Sequence, residues 1–174
     1  MVIDTLFLDR DGVINKRNFG GYIMDKSEFS FLPHCIEALQ LFSKKVSRII
    51  VITNQQGIAK GLMTEAQLYD VHTFMLSELE KMQVKIDAIY FASNLKGAEP
   101  DYRKPNPFMG RKAKEDFPSI LFEESLMVGD TDTDIQFGKN LGTKTALVRS
   151  EEKTSEKADF EVTNLLDLYY TLYE

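Results

Sequence analysis

Five short, uninterrupted apolar runs punctuate this chain, and between them hydrophobic residues recur at helical spacing. Leu6–Leu8, Ile49–Ile52, Ile89–Phe91, Leu126–Val128 and Ala146–Val148 are each bounded by polar residues or glycine. Runs of this kind suit strands buried on both faces of a parallel sheet. Ile36, Leu39, Phe42 and Val46 form one helical stripe, and Leu68, Val71, Met75, Leu79 and Met82 a longer one. The longer stripe opens with Thr64 and Gln67 in capping-box spacing. Asn106-Pro107 reads as N-cap and first helical position of a third helix, with Met109, Ala113 and Phe117 facing inward. A fourth helix runs through Ile135 and Leu141 until Gly142 ends it. Leu165, Leu168 and Leu172 mark a terminal helix. The seven methionines and most aromatics fall on these stripes and read as core.

Strand–helix alternation from end to end implies right-handed crossovers and an α/β fold with a doubly wound parallel sheet. A chain of 174 residues is long enough for one domain with a substantial core, and no repeat, linker or low-complexity tract divides residues 1–174. Two stretches lack periodicity. Residues 15–34, rich in Gly, Asn and aromatics, are expected to form a flap over a site, and residues 94–107 a second long loop. Glu151–Lys157 reads as a solvated loop. With 43% hydrophobic and 28% charged residues the composition is that of a soluble globular protein. No apolar run is long enough to span a membrane, and the N-terminal residues lack the charged and apolar regions of a secretion signal. A cytoplasmic protein without membrane association is expected. The net charge of −6 argues against nucleic acid as a partner. The single Cys35 excludes an internal disulfide and any multi-cysteine zinc site.

Ligands of such folds bind beyond the carboxyl ends of the strands, so the residues there matter most. The first run ends in Asp9-Arg10-Asp11-Gly12. Side chains of an extended strand alternate faces, so Asp9 and Asp11 leave together while Arg10 points elsewhere. Two carboxylates this close repel, raising the pKa of one. One group then serves as nucleophile or metal ligand while the other holds a proton. A buried strand ending in a solvated acidic turn would look the same in isolation. The second run leads into Thr53-Asn54-Gln55-Gln56-Gly57, a hydroxyl, amides and free backbone N–H groups suited to cradling phosphate. Arg103-Lys104-Pro105 brings two cations into the second long loop. Asp130, Asp132 and Asp134 follow the fourth run, and three acids in five residues suggest a hard cation held by oxygen, Mg²⁺ above all.

Together, Asp9-x-Asp11-Gly12, Thr53, Lys104 and Gly129-Asp130-x-x-x-Asp134, in that order, resemble the haloacid dehalogenase (HAD) superfamily of phosphohydrolases across essentially the whole chain. The resemblance implies a HAD-like Rossmannoid sheet, with Asp9 as nucleophile and Asp11 as general acid and base. Thr53 and Lys104 hold the phosphoryl oxygens. Mg²⁺ lies between Asp9, the Asp11 carbonyl and Asp130, with Asp134 in support. Thr53 lies 44 residues after Asp9 and Lys104 51 after Thr53, which leaves no room for an inserted cap domain. The site is therefore expected to be open.

Asp9-Arg10-Asp11-Gly12, Thr53-Asn54-Gln55-x-Gly57-Ile58-Ala59-x-Gly61 and Arg103-Lys104-Pro105 resemble one branch of that superfamily, holding heptose-bisphosphate and histidinol-phosphate phosphatases. By that resemblance Arg103, Asn54, Gln55 and the 17–20 region bind substrate, a small phosphate ester. There are two departures. Members with a Cys/His zinc loop carry it just before Arg-Lys-Pro, where this chain has no thiol, so no zinc is expected. Thr131 stands where heptose enzymes have lysine. A heptose bisphosphate is the first substrate expected and histidinol phosphate the second. Polynucleotide 3′-phosphatases, which share the Thr-Asn-Gln and Tyr-Arg-Lys-Pro elements, and a non-catalytic regulator on the same fold are the alternatives. His34 and His72 read as surface or helix-face residues that join none of these sites. Oligomeric state is not legible.

Overall fold

A computed structural model of the protein describes residues 2–174. The five apolar runs form strands β1 (Thr5–Leu8), β2 (Arg48–Asn54), β3 (Ala88–Ala92), β4 (Ser125–Gly129) and β5 (Lys144–Val148). A sixth, β6 (Phe160–Val162), escaped the sequence pattern. It is three residues long with Glu161 exposed, too short to show alternation, and it exists because it pairs with β5 at Ala146–Phe160 and Val148–Val162. The helices are α1 (Cys35–Phe42), α2 (Glu65–Lys81), α3 (Phe108–Asp116), α4 (Asp132–Leu141) and α5 (Leu165–Tyr173). Among the described residues no helix is long and apolar enough to cross a membrane.

All strand pairs are parallel, in the order β3-β2-β1-β4-β5-β6. The two-residue repeat of a strand sends alternate side chains to opposite layers. Leu6, Leu8, Ile49, Val51, Leu126 and Val128 pack with α1, α2 and α5 on one face. Phe7, Ile50, Ile52 and Met127 pack with α3 and α4 on the other. The chain moves outward from β1 through β2 to β3, then returns to β4 on the opposite side of β1. That reversal opens a crevice at the carboxyl end of β1. Because Leu8 lies opposite both Val51 and Val128, the segments after β1, β2 and β4 emerge at one edge.

Helix ends follow their local chemistry with small shifts. The Thr64–Gln67 capping box of α2 is formed, and Gly142 takes the left-handed conformation (φ 83°) that ends α4. The third helix starts one position later than its cap signal suggests: Pro107 caps it, while Asn106 Oδ1 accepts from Phe108 N at 3.0 Å. Met82 lies beyond the end of α2 and is exposed, not core. Val46 sits in the turn after α1, half-buried against the same core.

Residues 15–34 are anchored along their length. Asn15 forms bridges to Asp11 and Phe31, Ile23 and Phe29 are buried, and the two longest exposed runs are Asn18–Gly21 and Asp25–Glu28. Glu151–Lys157 is not simply solvated. Asp132 accepts from the backbone N–H groups of Ser155 and Glu156, and Glu156 pairs with Lys139 at 2.6 Å. The stretch is thereby pinned to the start of α4.

Candidate active site

Four segments converge at the sheet edge. Asp9 continues the β1 ladder, its N–H donating to Val128 O at 2.9 Å, which delivers a buried carboxylate into the crevice. The chain then turns at once, as Val13, Ile14 and Asn15 all donate to Arg10 O. Gly12 sits within this turn at φ 93°, and a Cβ there would overlap the Asp130 carboxylate. Only glycine permits that approach.

Lys104 arrives from the second long loop. Its backbone is gripped by the Asn54 side chain, which accepts from Lys104 N at 2.9 Å and donates to Lys104 O at 3.2 Å. Its ammonium meets three acceptors: Asp9 Oδ1 at 2.8 Å, Ile52 O at 2.8 Å and Asp134 Oδ1 at 2.6 Å. Burial works against its charge, but Asp134 and Asp9 outweigh it and push its pKa up. Asp134 also forms the α4 capping box, with Oδ2 accepting from Thr131 N and Oγ1 at 3.1 and 2.7 Å. Thr131 is engaged in that cap. Asp132 turns away to hold Ser155 and Glu156.

Asp9, Asp130 and Asp134 each bring a carboxylate oxygen within 4.8 Å of the others, all three buried. Asp9 is pushed up to about 7, first by burial and then by Asp134 and Asp130, against the opposing Lys104 charge. Asp130 is pushed up to about 6 by burial and Asp134, with Arg17 opposing. Asp11 goes the other way. Burial alone would raise it, but Arg10 and the hydrogen bonds from Asn15 and Gln55 hold it below the usual carboxylate range. The two carboxylates are thus split by burial and separate partners rather than by mutual repulsion.

Arg10 does not simply point elsewhere. Its guanidinium is fully buried and curls back, with one nitrogen 3.0 Å from both Asp11 oxygens and the other 3.0 Å from His72 Nε2. His72 is therefore buried behind the site rather than apart from it. Its spacing carried the signal, since 68, 72, 75 and 79 share one helical face. His34 stays exposed at the start of α1, beside Glu37.

Arg17 belongs to the 17–20 region expected to bind substrate, but its contact with the metal oxygens was not foreseen. It donates to Asp130 Oδ1 at 2.7 Å and to the Asp11 carbonyl at 3.1 Å, so a cation already rests on two of the three oxygens expected to hold a metal.

A cavity of about 410 Å³ opens above these groups, lined by Asp9, Asp11, Arg17, Asn54, Arg103 and Lys104 among others. Thr53 and Gln55 lie beneath it, both buried. The Gln55 amide donates to Asp11 Oδ2 at 3.0 Å and to Thr53 Oγ1 at 2.9 Å. Buried carboxylates beside a fixed ammonium and an open polar cavity are suited to nucleophilic attack on a phosphate ester.

A HAD-hydrolase-like family model matches residues 101–168. The D-glycero-alpha-D-manno-heptose-1,7-bisphosphate 7-phosphatase of Campylobacter jejuni is 36% identical over 160 residues, covering 92% of this chain and 89% of that protein. The D-glycero-beta-D-manno-heptose-1,7-bisphosphate 7-phosphatase of Escherichia coli K12 is 34% identical, covering 95% and 92%. Among solved structures, the D,D-heptose 1,7-bisphosphate phosphatase of B. bronchiseptica, complexed with magnesium and phosphate, superposes with a TM-score of 0.88 at 25% identity over 98% of each chain. The chain belongs to the HAD superfamily, within the family of these phosphatases. It is a phosphatase.

Proposed function

We propose that the protein is a Mg²⁺-dependent phosphomonoester hydrolase acting through an aspartyl-phosphate on Asp9, with D-glycero-D-manno-heptose 1,7-bisphosphate as substrate. The observation that carries this is the cluster of Asp9, Asp130, Asp134 and Lys104 under a polar cavity. Similarity along nearly the whole chain to enzymes named for that substrate supports it.

The donor set fits a hard cation. Asp130 Oδ2 is buried without a hydrogen-bond partner, the Asp11 carbonyl and Asp130 Oδ1 already accept a guanidinium, and every donor is oxygen. Asp9, the Asp11 carbonyl and Asp130 would hold it, while Asp134 secures Lys104. When bound, Mg²⁺ supplies the charge that keeps Asp9 ionised and offsets the phosphate dianion. The phosphate dianion arriving beside Asp11 is a like charge that raises its pKa and loads it with a proton. An Asp9 oxygen attacks phosphorus, the bond from phosphorus to the sugar oxygen breaks, and Asp11 gives that oxygen its proton. Asp11 then takes a proton from water as the water attacks the aspartyl-phosphate, restoring Asp9 and releasing phosphate. Lys104 orients Asp9 and, with Thr53, holds phosphoryl oxygens. Arg103, Arg17 and Lys60 line the cavity and supply charge for the rest of the substrate.

The 94–107 loop is proposed to hold no zinc. Between Phe91 and Arg103 there is no thiol or imidazole, and Cys35 is buried in α1. Asp101 organises this loop instead, accepting from Asn94 Nδ2 at 3.1 Å and Arg103 N at 3.0 Å. Elemental analysis giving one zinc per chain would overturn this point.

The activity is tested by phosphate release from the heptose bisphosphate, histidinol phosphate and a 3′-phosphorylated oligonucleotide. The heptose bisphosphate is expected to be preferred, and Asp9→Asn to abolish turnover in folded protein. Preference for either rival by orders of magnitude would replace the substrate, and an active Asp9→Asn would remove the covalent mechanism.

A further inference from the structure

Among the described residues Arg10 is the largest fully buried side chain, with no exposed surface. A guanidinium so placed costs several kcal/mol of desolvation unless paired and hydrogen-bonded. Its side chain has two partners. One terminal nitrogen lies 3.0 Å from each Asp11 oxygen, the other lies 3.0 Å from His72 Nε2, and Nε has none. Arg10 cannot accept a hydrogen bond, so Nε2 of His72 must present a lone pair and the imidazole must be neutral. Burial, with Arg10 beside it, pushes His72 down to about 3, consistent with that neutral form. Helix α2 places this acceptor, since His72 shares the inward face of Leu68, Met75 and Leu79, all buried.

The consequence is a fixed carboxylate at the cavity rim. Oδ1 of Asp11 accepts from Arg10 and Asn15, and Oδ2 from Arg10 and Gln55, each at 3.0 Å. Asn15 and Gln55 come from the turn after β1 and the segment after β2, on loops beside the cavity. Arg10 is the only one of the three held by a side chain on a helix, His72 of α2. These contacts favour the ionised carboxyl, so the acid is loaded only when the phosphate dianion arrives beside it, and its position must already be set when it meets the leaving oxygen.

We propose that His72 is a positioning residue: by accepting from Arg10 it aims that guanidinium at Asp11 and fixes the carboxylate for proton transfer to the leaving oxygen. This rests on the role given above to Asp11.

The test is kcat/KM, which reports the steps through phosphoryl transfer, measured on two esters. The heptose bisphosphate leaves as an alkoxide that must be protonated, whereas 4-nitrophenyl phosphate leaves as a phenolate that needs no proton. His72→Leu is expected to lose about 10-fold on the heptose bisphosphate and under about 2-fold on 4-nitrophenyl phosphate, a fraction of what losing the acid itself would cost. In an Asp11→Asn background the same substitution should cost nothing further, because contacting residues acting through one group are non-additive. His72→Gln, which keeps an acceptor, should recover most of the loss and covers the case in which the leucine variant folds poorly. Equal losses on both esters, or a loss that persists undiminished in the Asp11→Asn background, would overturn the inference alone. If Asp11→Asn itself lost activity equally on both esters, the role of Asp11 would fall, and this inference with it.

Discussion

Replacing Lys104 by methionine removes an ammonium buried among the site carboxylates, and the effect reaches beyond catalysis. Its Nζ lies 2.8 Å from Asp9 and 2.6 Å from Asp134 with both side chains almost wholly buried. Methionine fills the space but leaves these acids unpaired beside Asp130. Breaking a buried ion pair typically costs ~3–5 kcal/mol. For a domain of this size each kcal/mol lowers Tm by ~2–4 °C, so a fall of about 6–20 °C is expected in EDTA at pH 8. The dependence on pH has a definite sign. Asp9 is already raised by burial and neighbouring acids to about 7, and loss of Lys104 raises it further. A carboxyl whose folded pKa exceeds its unfolded value binds more protons when folded, so stability falls as pH rises between the two. The deficit of the variant should therefore be largest at pH 8 and shrink toward pH 5, where the acids take up protons. Mg²⁺ should restore part of the Tm at pH 8 by supplying the missing charge, while activity stays lost. Thermal melts followed by circular dichroism at pH 5, 6.5 and 8, with EDTA or Mg²⁺, read all of this. A Tm within ~2 °C of wild type at pH 8 in EDTA, or a deficit independent of pH, would refute the account of Lys104 as the electrostatic centre of the site.

Three further outcomes follow from the same geometry. Arg17 competes for Asp130 and the Asp11 carbonyl, so Arg17→Met should bind Mg²⁺ about 10-fold tighter by calorimetry, the equivalent of one lost charged hydrogen bond; unchanged or weaker affinity would show that the contact does not compete. Because Asp9 and Asp130 are raised to about 7 and about 6, Mg²⁺ uptake at pH 6.5 should release about one proton and weaken as pH falls; calorimetry in two buffers of different ionisation enthalpy giving no release would contradict this. Gly12→Ala forces a Cβ into the Asp130 carboxylate at a φ of 93° and should cost ~10²-fold or more in activity with metal binding impaired, so near-normal turnover would mean that Asp130 is not needed where it stands.

Local periodicity and caps placed strands β1–β5, helices α1–α5 and the loops that carry the chemistry. Apolar runs buried on both faces became the central strands, and Gly142 ended α4 through a conformation only glycine adopts freely. The order of Asp9, Thr53, Lys104 and Asp130 along the chain was enough to expect them together, since parallel strands deliver their carboxyl ends to one edge. What local pattern could not show was everything made by chain crossing. Strand β6 has three residues and is stabilised only by its pairing to β5. Glu151–Lys157 has the composition of a solvated loop, yet Asp132 and Lys139 hold it. Arg10 follows β1 as an alternating residue should, and only packing against α2 turned its guanidinium back to Asp11 through His72, 62 positions away. Arg17 met Asp130 across 113 positions. The ionisation of the site was decided there too: chemically identical carboxyls at 9 and 11 shift in opposite directions, because one is buried among acids and the other among donors.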